Sequence, residues 1–139
     1  MPEKDFFKLN IVAELPLVVI FSAGQPEVKT IVEKLIGEEL AVILVDRQEK
    51  QTFNLVNKQF LTIDYYSWQK ILSERPINYL IDFNQDKKVL NFAKRKGIRY
   101  LRILKPTDDL DLNQEILAKN NFDWRLVQTG QVYGEKENW

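Results

Sequence analysis

The segment from Pro76 to Leu104, PINYLIDFNQDKKVLNFAKRKGIRYLRIL, constrains the fold of this chain more than any other. An apolar run (Ile77–Phe83) gives way to a polar corner. Val89, Leu90, Phe92 and Ala93 follow at helical spacing, then Gly97, then a second apolar run (Ile98–Leu104). Strand, helix and strand in so short a span make a βαβ unit, with parallel strands and a right-handed crossover. Parallel sheets take their ligands outside the carboxyl ends of the strands. The strand exits are therefore the place to look for a site.

The rest of the chain continues the alternation. Leu17–Phe21 and Ala41–Val45 are uninterrupted apolar runs, the pattern of strands covered on both faces. Between them Val28, Ile31, Val32, Leu35 and Ile36 form a helical stripe that Pro26 can open and Gly37 can close. Phe60–Ile63 reads as a third strand, and Asp64 as the N-cap of a helix running to about Ser73. Thr52–Val56 reads as an extra short strand. A helix is expected over Leu112–Asn120 with Ile116 and Leu117 inward, a sixth strand over Trp124–Gln128, and a loop-like tail over Gly130–Trp139.

Composition removes several chemistries. The chain has 139 residues, 45% of them hydrophobic, which suits one domain with a packed core. Lys+Arg and Asp+Glu are 20 each, so the net charge is zero. Nothing draws a phosphate backbone or an anionic membrane surface from a distance, and neither is an expected partner. Histidine and cysteine are both absent. Disulfides, thiol nucleophiles, thiolate or imidazole metal sites and the commonest general acid/base go with them. The longest apolar run, from Leu15 to Phe21, is too short to span a bilayer, and the first ten residues carry both charge signs with no signal pattern. A cytoplasmic location is the expectation.

Three stretches carry a family likeness: FLTID over 60–64 leading into a helix, ERPINYLIDFN over 74–84, and NFDWRLVQTGQVYG over 121–134. With the order of elements, they resemble the extended short-chain dehydrogenase/reductase family of NAD-dependent sugar epimerases and dehydratases. The resemblance implies a Rossmann-like three-layer α/β domain, with a mainly parallel sheet of five to six strands and helices on both faces. It also implies an acidic corner against adenine at Asp64 and a cofactor-lining exit at Asp82 and Asn84. GIRYLR over 97–102 is similar to a strand in the N-terminal half of precorrin-6A reductase.

The chain departs from the family at two places. Members open with a glycine-rich turn that admits a pyrophosphate to the helix N-terminus. Here SAGQPEV over 22–28 keeps only Gly24, with Val28 where a packing glycine stands and Glu27 adding negative charge. The family's catalytic Tyr-x-x-x-Lys lies on the helix after the fifth strand. Tyr66 and Lys70 match that spacing but precede the fourth strand, and they read as helix-surface residues. No tyrosine lies between Leu104 and Trp124. No catalytic residue and no metal ligand is assigned.

Six residues are candidates for touching a nucleotide. Gly24 lies in the first turn. Asp46, at the end of the second strand, would hold ribose hydroxyls, and Arg47 beside it would favour a 2′-phosphate. Asp64 would meet adenine, and Asp82 and Asn84 occupy the fourth strand's exit. Each has a plainer reading: a solvated strand end, a surface arginine, a helix cap, turn chemistry. The basic run of Lys87, Lys88, Lys94, Arg95, Lys96, Arg99 and Arg102 reads as a solvated helix face. Asp108, Asp109 and Asp111 read as an ordinary acidic loop.

The expected organisation is an arm over 1–14, a Rossmann-like domain over 15–134 and a tail over 135–139. The expected function is a non-catalytic binding or assembly module derived from an epimerase/dehydratase-type fold. A small NAD(P)-dependent reductase or epimerase and a nucleotide-sensing regulatory domain are the alternatives. The expected partner is another protein or a second copy, with a nucleotide or nucleotide sugar as a further ligand. No cofactor is expected in the usual pose, NAD or NADP being the alternative.

Overall fold

Residues 15–22, 27–38, 40–46, 60–73 and 76–134 are described by the computed structural model of the chain. They fall into two units, Met1–Asn78 and Tyr79–Trp139. The expected arm over 1–14, the strand over 52–56, Gly24, Arg47 and the tail over 135–139 lie outside the described residues.

In the first unit, β1 (Leu17–Ser22), α1 (Glu27–Gly37), β2 (Ala41–Asp46) and β3 (Phe60–Asp64) are followed by a 3-10 turn (Tyr65–Ser67) and α2 (Trp68–Leu72). The strands lie in the order β3-β2-β1, all parallel. Every side chain of β1 is buried, as its unbroken apolar run requires. Val28 and Val32 carry the buried stripe of α1. Asp64 ends β3, and its Oδ1 accepts from the Tyr66 N–H at 3.1 Å, so the expected cap is present on a short 3-10 turn. Trp68 then anchors α2 edge-on against Phe21, with ring centroids 4.8 Å apart.

The second unit runs β4 (Tyr79–Asp82), α3 (Lys87–Lys96), β5 (Arg99–Leu104), α4 (Leu110–Ala118), β6 (Trp124–Gln128) and β7 (Gln131–Gly134). Its strand order is β4-β5-β6-β7. The first three strands are parallel, and β7 is antiparallel to β6. Asp86 caps α3 by accepting from the Lys88 N–H at 2.8 Å, and Gly97 closes it at φ 68°, a left-handed conformation that glycine adopts without strain. The fold class is α/β, Rossmann-like, with mainly parallel strands. The orders β3-β2-β1 and β4-β5-β6 are those of the two halves of that fold.

Three expectations are corrected. The stretch 131–134 is a strand, not a loop-like tail. Thr129 (φ 48°) and Gly130 (φ 80°) make a two-residue turn with both φ positive, which folds β7 back on β6 with Gln128 opposite Gln131. Ile116 does not point inward: it is 37% exposed, and Asn113 and Leu117 take the buried face of α4. Arg102 is not part of a solvated face, since it is 3% exposed on β5. Among the described residues, no helix is long and apolar enough to cross a membrane.

Candidate functional site

The carboxyl end of β4 holds a connected network of buried polar side chains. Alternation along β5 puts Tyr100, Arg102 and Leu104 on one buried face. Parallel register sets Asp82 beside Arg102. The Arg102 Nε–H donates to the Tyr100 hydroxyl at 2.8 Å, and that hydroxyl donates to Asp82 Oδ2 at 2.6 Å. The guanidinium also donates to Asn113 Oδ1 at 2.8 Å and lies 5.5 Å from the Tyr100 ring centroid. Asn113 in turn donates through Nδ2 to the Asp109 carbonyl at 2.7 Å. One hydroxyl thus bridges a buried cation and a buried carboxyl, and α4 braces the cation from above.

The same carboxyl organises the strand exit. Asp82 Oδ1 accepts from the Asn84 N–H at 2.8 Å, an Asx turn, and Oδ2 accepts from the Asp86 N–H at 3.3 Å. Between them Gln85 takes φ 53°, and its side chain donates to Asp108 Oδ2 at 2.8 Å. Asp108 also accepts from the Lys105 N–H at 2.7 Å. Gln128, at the end of β6, donates to the carbonyls of Lys105 and Asp108 at 2.9 and 3.0 Å. The acidic loop is therefore tied to the exits of β4 and β6.

Burial pushes the Asp82 carboxyl above its ordinary value. The bonds from Tyr100, Asn84 and Asp86 and the charge of Arg102 pull the other way. The Tyr100 hydroxyl is pushed well above 10.0, first by burial and then by the neighbouring Asp82 charge. This is the reverse of what a proton-transferring tyrosine needs, which is a value brought down toward neutrality. Asn84 Oδ1 stands apart: it is shut away from solvent with no hydrogen-bond partner among the described residues. An acceptor in that state has an unmet demand for a donor.

Of the six predicted residues, Asp82 and Asn84 meet at one strand exit. In the first unit the backbones of Ser22, Asp46 and Asp64 stand in one row, register partners across β1, β2 and β3. Asp64 spends its carboxylate on the cap, and Gly24 and Arg47 lie outside the described residues. Tyr66 is 82% exposed and Lys70 is exposed, as surface residues should be. Sequence reasoning missed Tyr100, Arg102 and Asn113. The signal for the first two was there: in RYLRIL a tyrosine and an arginine share alternation with Leu104, so one inward face must hold all three. Asn113 had no comparable signal, because Ile116 and Leu117 are the residues read as inward on the same helix. No protein-family model matches this chain, and no curated protein matches it.

Proposed function

We propose that this chain is a non-catalytic Rossmann-like module for binding and assembly, built on a framework resembling the NAD(P)-dependent sugar epimerases and dehydratases. One observation carries the reading. The residues best equipped for chemistry, Asp82, Tyr100 and Arg102, are consumed by one another and by the turn they organise. The Tyr100 hydroxyl donates its proton to a carboxyl and accepts from arginine, on a fully buried side chain, which supports a structural role for it. The test is incubation with NAD(H) or NADP(H) and nucleotide sugars, following nicotinamide absorbance and sugar composition. No turnover is expected. Turnover that disappears in Tyr100→Phe contradicts the reading.

A second reading, a domain that senses a nucleotide without transforming it, draws on one observation in the first unit: the backbones of Ser22, Asp46 and Asp64 stand in one row at neighbouring strand ends. Thermal melts with NAD(H), NADP(H), ATP and nucleotide sugars separate the two. One-site binding at a hundred times Kd adds about 2.7 kcal/mol. Sensing predicts such a shift and its loss in Asp46→Ala. Assembly alone predicts no shift with any of them.

A further inference from the structure

We infer that β7 is the surface through which two copies of this chain associate, strand against strand across a twofold axis at Tyr133. The inference rests on the assembly reading and gives it a location.

Among the described residues β7 is the edge of the second unit's sheet, paired on one side only, with β6. The two-residue turn makes Gln128 and Gln131 a hydrogen-bonded pair, so Leu126 and Tyr133 are the next bonded pair. Val132 then directs its backbone N–H and C=O away from β6, and Gly134, at φ 132°, directs its N–H the same way. Edge strands are commonly blunted with lysine, proline or an inward charge. The strand Gln131-Val132-Tyr133-Gly134 contains none of these, and Val132 is 65% exposed.

The outward groups are self-complementary. An antiparallel twofold through Tyr133 sets Val132 opposite the second copy's Gly134, and Gly134 opposite the second copy's Val132. The Val132 groups and the Gly134 N–H that point outward on each strand then face the matching edge of its mate. The exposed valine lies over a residue with no side chain, and the two tyrosines face each other on the opposite side of the sheet. Zero net charge puts no long-range repulsion between copies.

Helix α4 supplies an independent check. Neighbouring strands are about 4.8 Å apart, so β7 would lie about 2.4 Å and β6 about 7.2 Å from the axis. α4 packs on both strands, and a helix lying midway between them would be about 5 Å from the axis and its twofold mate about 10 Å away. Packed helices lie about 8–10 Å apart. The Arg102–Asn113 bond turns the Asn113 side of α4 toward β5, leaving uncharged Gln114 and small Ala118, one turn apart, on the flank nearer β7. The strand pairing and the helix pairing are met by one and the same operation. Such an interface is isologous and closes at two copies.

The test is sedimentation equilibrium of the full chain over a concentration series, with Val132→Pro beside it. The Val132 N–H faces away from β6, so proline removes only the outward donor and leaves the β6–β7 ladder intact. The wild type is expected to rise from 16.4 kDa toward twice that mass. Val132→Pro is expected to stay at the monomer mass with unchanged circular dichroism. Val132→Lys, which sets a charge on the edge, is the second variant should proline disturb the hairpin, with the same monomer expected. A wild type that remains monomeric at the highest concentration overturns the inference. A dimer that persists in a folded variant overturns it as well. Failure of the broader reading shows separately, as turnover.

Discussion

Replacing Tyr100 by phenylalanine removes one oxygen, leaves the buried Arg102 Nε–H without its acceptor and leaves Asp82 Oδ2 with only the 3.3 Å bond from the Asp86 N–H. Unsatisfied buried polar groups cost about 1–3 kcal/mol, so Tyr100→Phe is expected to lower the unfolding free energy by about that much in urea titration. The pH dependence has a definite sign. The unfolded chain ionises this hydroxyl near its ordinary value of 10.0, and the folded chain holds the proton to higher pH. Its contribution is therefore fully present below about pH 10 and is lost as pH rises beyond it. Asp82 follows the same sign at the acid end: its folded value is raised above 3.8, so stability falls as pH rises through the interval just above that value. A second site constrains the backbone itself. A methyl at Gly134 would meet the Trp124 carbonyl oxygen at 2.7 Å, and φ there is 132°. Gly134→Ala is expected to cost about 1–3 kcal/mol, read as a lowered melting temperature.

At the scale of the element, caps and turns decide where the chain stops and starts. Helix α3 begins with two lysines, the wrong sign for a helix N-terminus, and the Asp86 carboxylate offsets them while capping the Lys88 N–H. Asp86→Ala should cost about 1 kcal/mol, measured by chemical denaturation. The β6–β7 turn is the opposite case. Thr129 is β-branched and sits at φ 48°, where such residues are strained. Asn-Gly is the preferred sequence for that turn, so Thr129→Asn is expected to raise stability by about 0.5–1 kcal/mol. The same turn explains why β7 was not legible in the sequence. QVYG is short, only half alternating, and follows a Thr-Gly pair that does not advertise a hairpin as Asn-Gly does. β1 and β2 were legible because five consecutive buried apolar positions in each, Leu17–Phe21 and Ala41–Val45, leave a run that nothing else explains. Helix α4 was read two residues too late, and of the two residues expected inward Leu117 is buried and Ile116 is not. Leu112 and Ile116 make an apolar pair, but the inward position goes to Asn113, which Arg102 requires.

At the scale of the molecule, the alternation of strands and helices carried the fold class, because parallel neighbours and crossover helices are its physical consequence. The site was legible only in part. Asp82 and Asn84 were found from their place at a strand exit, whereas the network behind them depends on which side chains share a face across β4, β5 and α4. That is tertiary information. It also changes the meaning of Asp82, from a residue poised for a ligand to the centre of a closed structure. Asn84 keeps an acceptor that no donor meets among the described residues. Whether the network is support or catalytic apparatus comes down to the proton on Tyr100, and an alkaline absorbance titration of tyrosinate in wild type and Tyr100→Phe reads it directly. The chain has five tyrosines. The wild type is expected to release one of them only at a pH well above the ordinary tyrosine range, as the fold is lost, and that late step is expected to be missing in Tyr100→Phe. A Tyr100 that ionises at or below the ordinary value in the folded chain would contradict the account, because it would be a tyrosine prepared for proton transfer.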